Sequence, residues 1–274
     1  MFGVRLGVVV GNTNVSLGGD SGFDTDAQAY FDRVTTAGGT LSTTEKNAVN
    51  QLVIDLKANS LWTPMKAIYP MVGSSAAACA QNLKSSSFTG TFTSGWTFAS
   101  TGVTPNGTSA YMDTNFTPNT SLTLNSGHLS FYSRTNNTTG IDDIGAYYGT
   151  ADLINMRLII NISGTLYCDL NNGTTARIAV VNSNSLGFYL GSRISSTAFK
   201  VFKNNTTFGT NSNLNTGSQP TIPIYIGSSN ATGAKNYSNR QCAFASIGDG
   251  LTDTQASNFY TAVQTFQTTL NRQV

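Results

Sequence analysis

The chain has 274 residues, of which 10% are charged, against about 25% in an ordinary soluble protein. Thr (39), Ser (29), Asn (28) and Gly (27) make up 45% of it, a mixture poor for helix interiors and suited to strands and turns. The net charge of +2 comes from scattered basic residues with no Lys/Arg run, so there is no clustered basic face for a nucleic acid, and no apolar run approaches the ~20 residues of a membrane span.

Residues 1–23 read as an arm and tether. Phe2, Val4, Leu6, Val8 and Val10 alternate with other residues, which is strand periodicity, and Gly11 to Gly22 is a Gly/Asn/Ser-rich connector. An arm apolar on one face suits pairing with another chain, and equally an edge strand of the same domain. The opening residues are a poor secretory signal, with Arg5 inside the short apolar stretch and no small-residue cleavage site after it.

A helical segment follows over 24–75. Asp24 can cap a helix whose Ala27, Tyr30, Phe31 and Val34 recur at helical spacing, ended by Gly38 and Gly39. Ser42 and Glu45 form a capping box for a second helix with Ala48, Val49, Leu52, Val53 and Leu56 on one face. Pro64 and Pro70 close the region, with Trp62, Met65, Ile68, Tyr69 and Val72 as apolar anchors.

From about residue 76 short apolar runs alternate with Asn/Gly/Ser/Thr clusters, the texture of a sandwich or jelly roll. Strands are predicted at 121–124, 128–133, 153–162, 177–181, 187–190, 199–202, 222–226 and 240–247. Thr252 and Gln255 open a closing helix with Ala256, Phe259, Tyr260, Val263, Phe266 and Leu270 on one face. Cys79, Cys168 and Cys242 are odd in number and far apart, which fits small buried thiols and neither a disulfide framework nor a zinc site.

The acidic inventory carries the sharpest functional signal. There is a single glutamate, Glu45, already used as a helix cap, whereas glycoside hydrolysis usually needs two carboxylates about 5–9.5 Å apart. Asp142 and Asp143 are the only adjacent acids, and they read either as a solvated turn or as part of a site. On a strand, consecutive residues face opposite ways and cannot line one cleft. Tyr147 and Tyr148 follow, an aromatic doublet of the kind that stacks on sugars. His128 is the sole histidine; no nucleophile elbow accompanies it, so a hydrogen-bonded structural role is expected. The glycan-binding candidates are therefore Asp142, Asp143, Tyr147 and Tyr148. No catalytic residue, metal ligand or cofactor is assigned.

Several stretches occur together: DTDAQAYFDRV, KNAVNQLVIDLKANSLWTPMKAIYPMVG, GWTFASTGVTPNGTSAYMDTNF, SGHLSFYSRTN, KVFKNNTTFGT, IPIYIGSSN and YSNRQCAFASIGDGLTDTQASNFYTAVQTFQTTL. In this order, over roughly 24–274, they resemble tailed-phage virion proteins carrying a concanavalin A-like lectin/glucanase (laminin-G-like) domain. The resemblance implies a mainly β protein, a concanavalin A-like jelly-roll sandwich over 76–274 with flanking N-terminal and C-terminal helices. It also implies a place on the exterior of a phage virion, as a tail, fibre or head appendage. The expected function is that of a non-enzymatic structural component, a homo-oligomer held by other virion proteins, with host-surface carbohydrate as a candidate ligand. The alternative is a polysaccharide hydrolase using an Asp pair.

Overall fold

The computed structural model describes residues 22–139, 141–149, 154–171, 176–212 and 218–274. The arm residues Phe2, Val4, Leu6, Val8 and Val10 lie outside the described residues.

In chain order the elements are α1 (Thr25–Thr36), α2 (Thr43–Ala58), β1 (Met65–Tyr69), α3 (Ala76–Cys79), β2 (Thr91–Phe92), β3 (Trp96–Ala99), β4 (Gly102–Pro105) and β5 (Met112–Asp113). They continue with α4 (Pro118–Ser121), β6 (Gly127–Ser133), β7 (Ile144–Tyr148), β8 (Ile154–Ile162), β9 (Thr165–Leu170), β10 (Ile178–Val181), β11 (Gly187–Ser195) and β12 (Ala198–Lys203). The last are β13 (Thr206–Asn211), β14 (Tyr225–Ile226), β15 (Ser229–Asn230), β16 (Ala234–Lys235), β17 (Cys242–Gly248) and α5 (Asp253–Thr269).

Two sheets form the sandwich. The first runs β13-β12-β11-β6-β17-β4-β3, with β1 also pairing antiparallel to β17. The second runs β10-β9-β8-β7-β14-β5-β2, with β15 paired parallel to β7 and β16 paired antiparallel to β15. The mainly β sandwich with N-terminal and C-terminal helices is thus the architecture of the chain.

Alternation along the first sheet divides its side chains between two cores. Phe131, Tyr189, Ala245 and Ile247 pack inward against Ile144, Ala146, Met156 and Leu158 of the second sheet. Their neighbours Tyr132, Phe188 and Phe244 point outward and meet Phe31, Leu52, Val53, Phe259 and Phe266 of α1, α2 and α5. Its central strands β6 and β17 are buried on both faces, and helices occupy their outer side.

The helix signals work as their chemistry dictates. Asp24 accepts from the Asp26 amide, and both capping boxes are formed, Ser42 with Glu45 and Thr252 with Gln255. Two strand expectations need correction. Ser121 closes the short helix α4, because Pro118 at its start presets a helical φ and donates no hydrogen bond. Met65–Tyr69, read as the tail of a helical segment, is a strand of the first sheet, in register with Ala245–Gly248. All three cysteines are buried free thiols.

Candidate functional site

With helices covering the outer side of the first sheet, the outer side of the second is where chemistry collects. Residues alternating with its core members point away from the sandwich. Met112, Ile226, Ile144, Met156, Leu158, Cys168 and Leu170 lie in the inter-sheet core. The interleaved positions form one cross-strand row, Asp113–Tyr225–Gly145–Arg157–Asp169, each residue directly opposite the next.

One end of the row is joined by charge-assisted bonds. Asp169 is fully buried and holds two guanidinium groups, Arg157 through Nε at 3.0 Å and Arg177 through Nη2 at 2.8 Å. Tyr147 covers Arg157, whose guanidinium carbon is 4.3 Å from the ring centroid, and Arg177 lies 5.2 Å from the Tyr167 ring centroid. Gly145 makes room for this packing: a Cβ there would fall 2.4 Å from the Arg157 Cβ. At the other end Tyr111 stacks on Tyr225 at 4.4 Å, and burial, reinforced by Asp113, pushes the Tyr225 phenol up to about 12. Tyr111, Tyr147, Tyr148, Tyr167 and Tyr225 are all half-buried, with surface still open to solvent.

Of the four residues singled out in the sequence, two come together here. Asn236 Nδ2 donates to Tyr147 Oη at 3.0 Å and to Asp142 Oδ2 at 3.3 Å. Asp142 also sits 4.0 Å from Arg157 Nη1. Burial pushes its carboxyl up to about 6, against the opposing pull of Arg157. Asp143 belongs to a different constellation. Its carboxylate is paired with Arg240 at 3.0 Å, both residues fully buried, and accepts from Ser238 Oγ and the Ile160 amide. Tyr148 turns to Thr221, Oη to Oγ1 at 2.7 Å. The Asp142–Asp143 pair is therefore not a solvated turn; both side chains are fully buried and committed to separate partners.

His128 is fully buried beneath α5, its ring 6.1 Å from that of Phe259. Its Nδ1 faces the Asp249 carbonyl at 2.6 Å, so Nδ1 carries the proton and Nε2 accepts from Ser246 Oγ at 3.0 Å. Ser246 is in turn 2.7 Å from Ser130 Oγ. Burial pushes the imidazole down to about 4, so it stays neutral at pH 7, and the chain of hydroxyls has no opening to solvent. A groove of about 360 Å³ between β11, β12 and the start of α5 is floored by Ala198, Phe202 and Leu251 and crossed by the Lys200–Asp253 pair. It brings together no group with a chemical task. Among the described residues no three His, Cys, Asp or Glu side chains converge as metal ligands, and no helix is long and apolar enough to cross a membrane.

Sequence reasoning singled out Tyr147 and Asp142 from this face but not Tyr111, Arg157, Tyr167, Asp169, Arg177 and Tyr225. The signal was present as period-two alternation: Arg157 stands between Met156 and Leu158, Asp169 between Cys168 and Leu170, and Tyr225 between Ile224 and Ile226.

No protein-family model matches the chain, and no curated protein matches it in sequence. Among solved structures, it is similar to a Trypanosoma rangeli sialidase in complex with sialic acid, at TM-score 0.51 and 10% identity, over 77% of this chain and 38% of the sialidase. It is also similar to domain 4 of AbnA, a GH43 extracellular arabinanase from Geobacillus stearothermophilus, in complex with arabinotriose (TM-score 0.47, 13% identity, 71% of this chain and 97% of that one). A third is the Ruminococcus gnavus IT-sialidase CBM40 bound to α2,3-sialyllactose (TM-score 0.37, 14% identity, 47% and 79%). At such identities the sialidase likeness shows the sandwich fold alone.

Proposed function

We propose that this protein is a non-enzymatic carbohydrate-binding sandwich displayed on the exterior of a phage particle. The observation that carries the binding part is the outer face of the second sheet, where half-exposed tyrosines stand over a rigid Arg/Asp network. Sugar rings present apolar C–H faces and hydroxyls. Tyr147, Tyr167 and Tyr225 offer aromatic surface, and Arg177 offers a donor beside it. The network beneath fixes these side chains before a ligand arrives, which lowers the ordering cost of binding.

Hydrolysis by the Asp142–Asp143 pair would need both carboxylates on one cleft. Asp143 is locked to Arg240 and Ser238, which removes it from that task. Binding of a host-surface polysaccharide with no release of reducing sugar is the expected result of a glycan array paired with a cleavage assay. Cleavage that disappears in Asp142→Asn would overturn the non-enzymatic reading.

The virion part is supported by the sequence resemblance over 24–274 and by the alternation of Phe2, Val4, Leu6, Val8 and Val10. In this reading residues 1–23 are an arm and tether that pair with other virion proteins or with copies of the chain, and 76–274 form the outward-facing body. Deleting residues 1–20 should leave the sandwich with its melting temperature while abolishing incorporation into particles or self-association. A large loss of thermal stability with unchanged assembly would make the arm an integral strand instead.

A further inference from the structure

The outer-face network also specifies what chemistry its ligand carries, given that this face binds glycan. Asp169 takes Arg177 side-on, through Nε at 3.0 Å and Nη2 at 2.8 Å. A guanidinium has five N–H donors in a fixed plane. Two are used by Asp169, which leaves the end-on edge made by Nη1 and the second Nη2 hydrogen. Among the described residues, no group accepts from that edge.

Arg177 differs from Arg157 in access. The Arg157 side chain is 6% exposed and covered by Tyr147, whereas that of Arg177 is 24% exposed and lies along Tyr167. One guanidinium is therefore sealed into the structure and the other is presented at its surface, both oriented by the same buried carboxylate. Arg177 cannot swing freely to meet a ligand, because Asp169 holds it through Nε and Nη2.

The charges named on this face make no basic patch, with Arg157 and Arg177 against Asp169, Asp142 and Asp113. An anion is thus not gathered from a distance by a basic patch. What favours it is the local match between a planar end-on fork and a planar carboxylate, which bonds bidentately, beside aromatic rings that accept the sugar body. A neutral hydroxyl would use one of these donors and leave the other without a strong acceptor.

We infer that the site selects a carboxylate-bearing sugar, the carboxylate bound end-on by Arg177 with the Tyr167 ring alongside. The test measures binding of two oligosaccharides that differ only in a uronic acid and its reduced, neutral counterpart. The wild-type protein should bind the acidic form at least tenfold more tightly. Arg177→Gln should lose that preference, binding the acidic and neutral forms with equal affinity, and Arg177→Lys should recover little of it, because a point charge lacks the fork. A sulfated counterpart should bind more weakly than the uronic acid. Equal affinity for acidic and neutral forms, or an acid preference that survives Arg177→Gln, would overturn the inference and leave glycan binding standing. Failure of both oligosaccharides, and of every glycan on an array, would instead overturn the glycan-binding reading itself. Far-UV circular dichroism and the melting temperature of each variant separate loss of binding from loss of fold.

Discussion

Arg157 lies beneath Tyr147, 4.3 Å from the ring centroid to the guanidinium carbon, on the one sandwich face that the helices leave to other uses. The contact ties an aromatic side chain half open to solvent to a charge that is itself anchored on Asp169. Asn236 holds the other end of the same ring by donating to its hydroxyl. A tyrosine gripped at both ends presents a fixed surface.

That surface gives the first prediction. Tyr147→Ala should weaken binding of any glycan ligand about tenfold or more, about 1.4 kcal/mol, with the fold retained. Tyr148→Ala, whose hydroxyl is turned to Thr221, should change affinity by less than about threefold. Titration calorimetry on the two variants checks the difference. Equal losses would mean that the two rings act together.

The second concerns Asp143. With Arg240 it forms an ion pair in which both partners are fully buried. Removing one partner strands the other charge without water, so Asp143→Ala should cost about 3–5 kcal/mol of stability. Substituting both residues by apolar ones should cost less than the sum of the single changes. Urea denaturation checks this, and a wild-type midpoint for Asp143→Ala would show that the pair contributes nothing.

The contrast between Asp142 and Asp143 shows what was legible in the sequence. Local signals specified the helices, because Ser42, Glu45, Thr252 and Gln255 satisfy backbone groups within their own turns. Most strands followed from alternation and turn residues. Met65–Tyr69 did not, since it pairs with residues about 180 positions away and its flanking prolines resemble the end of a helical segment. The site was half legible. Tyr147 and Asp142 stood out by composition, but Asp143 looked equivalent to Asp142 until Arg240, 97 residues on, claimed it. Arg157, Asp169 and Arg177 come from three segments, and the registers of β8 and β10 against β9 make them one cluster.

Phe259 supplies the third prediction. It sits in the helix layer with its ring 5.3 Å from Phe188 and 5.9 Å from Phe244, which point out of the first sheet. Phe259→Ala removes that contact and leaves a cavity between helix and sheet, at an expected cost of about 3–5 kcal/mol. An unchanged denaturation midpoint would mean that α5 is not docked on the sheet.

The last prediction uses two buried groups that respond oppositely to pH. Burial raises the Asp142 carboxyl to about 6, so the folded state holds that proton more tightly than the unfolded chain, where the group ionises near 3.8. Its contribution is fully present below pH 3.8 and is lost as pH rises through 6, a difference of about 3 kcal/mol. Asp142→Asn, which keeps the shape without the charge, should therefore gain stability relative to wild type between pH 4 and pH 7. Burial of His128 works the other way, lowering the imidazole from 6.5 to about 4. Its contribution is present above pH 6.5 and is lost as pH falls through 4, because the unfolded chain takes up the proton first. His128→Gln disturbs the bonds to Ser246 and Asp249, so it should be least stable relative to wild type at pH 7. That deficit should narrow by about 3 kcal/mol on going to pH 4. Chemical denaturation of the three proteins at pH 4, 5.5 and 7 resolves the two slopes. Curves that run parallel to wild type across this range would show that neither group titrates differently in the folded state.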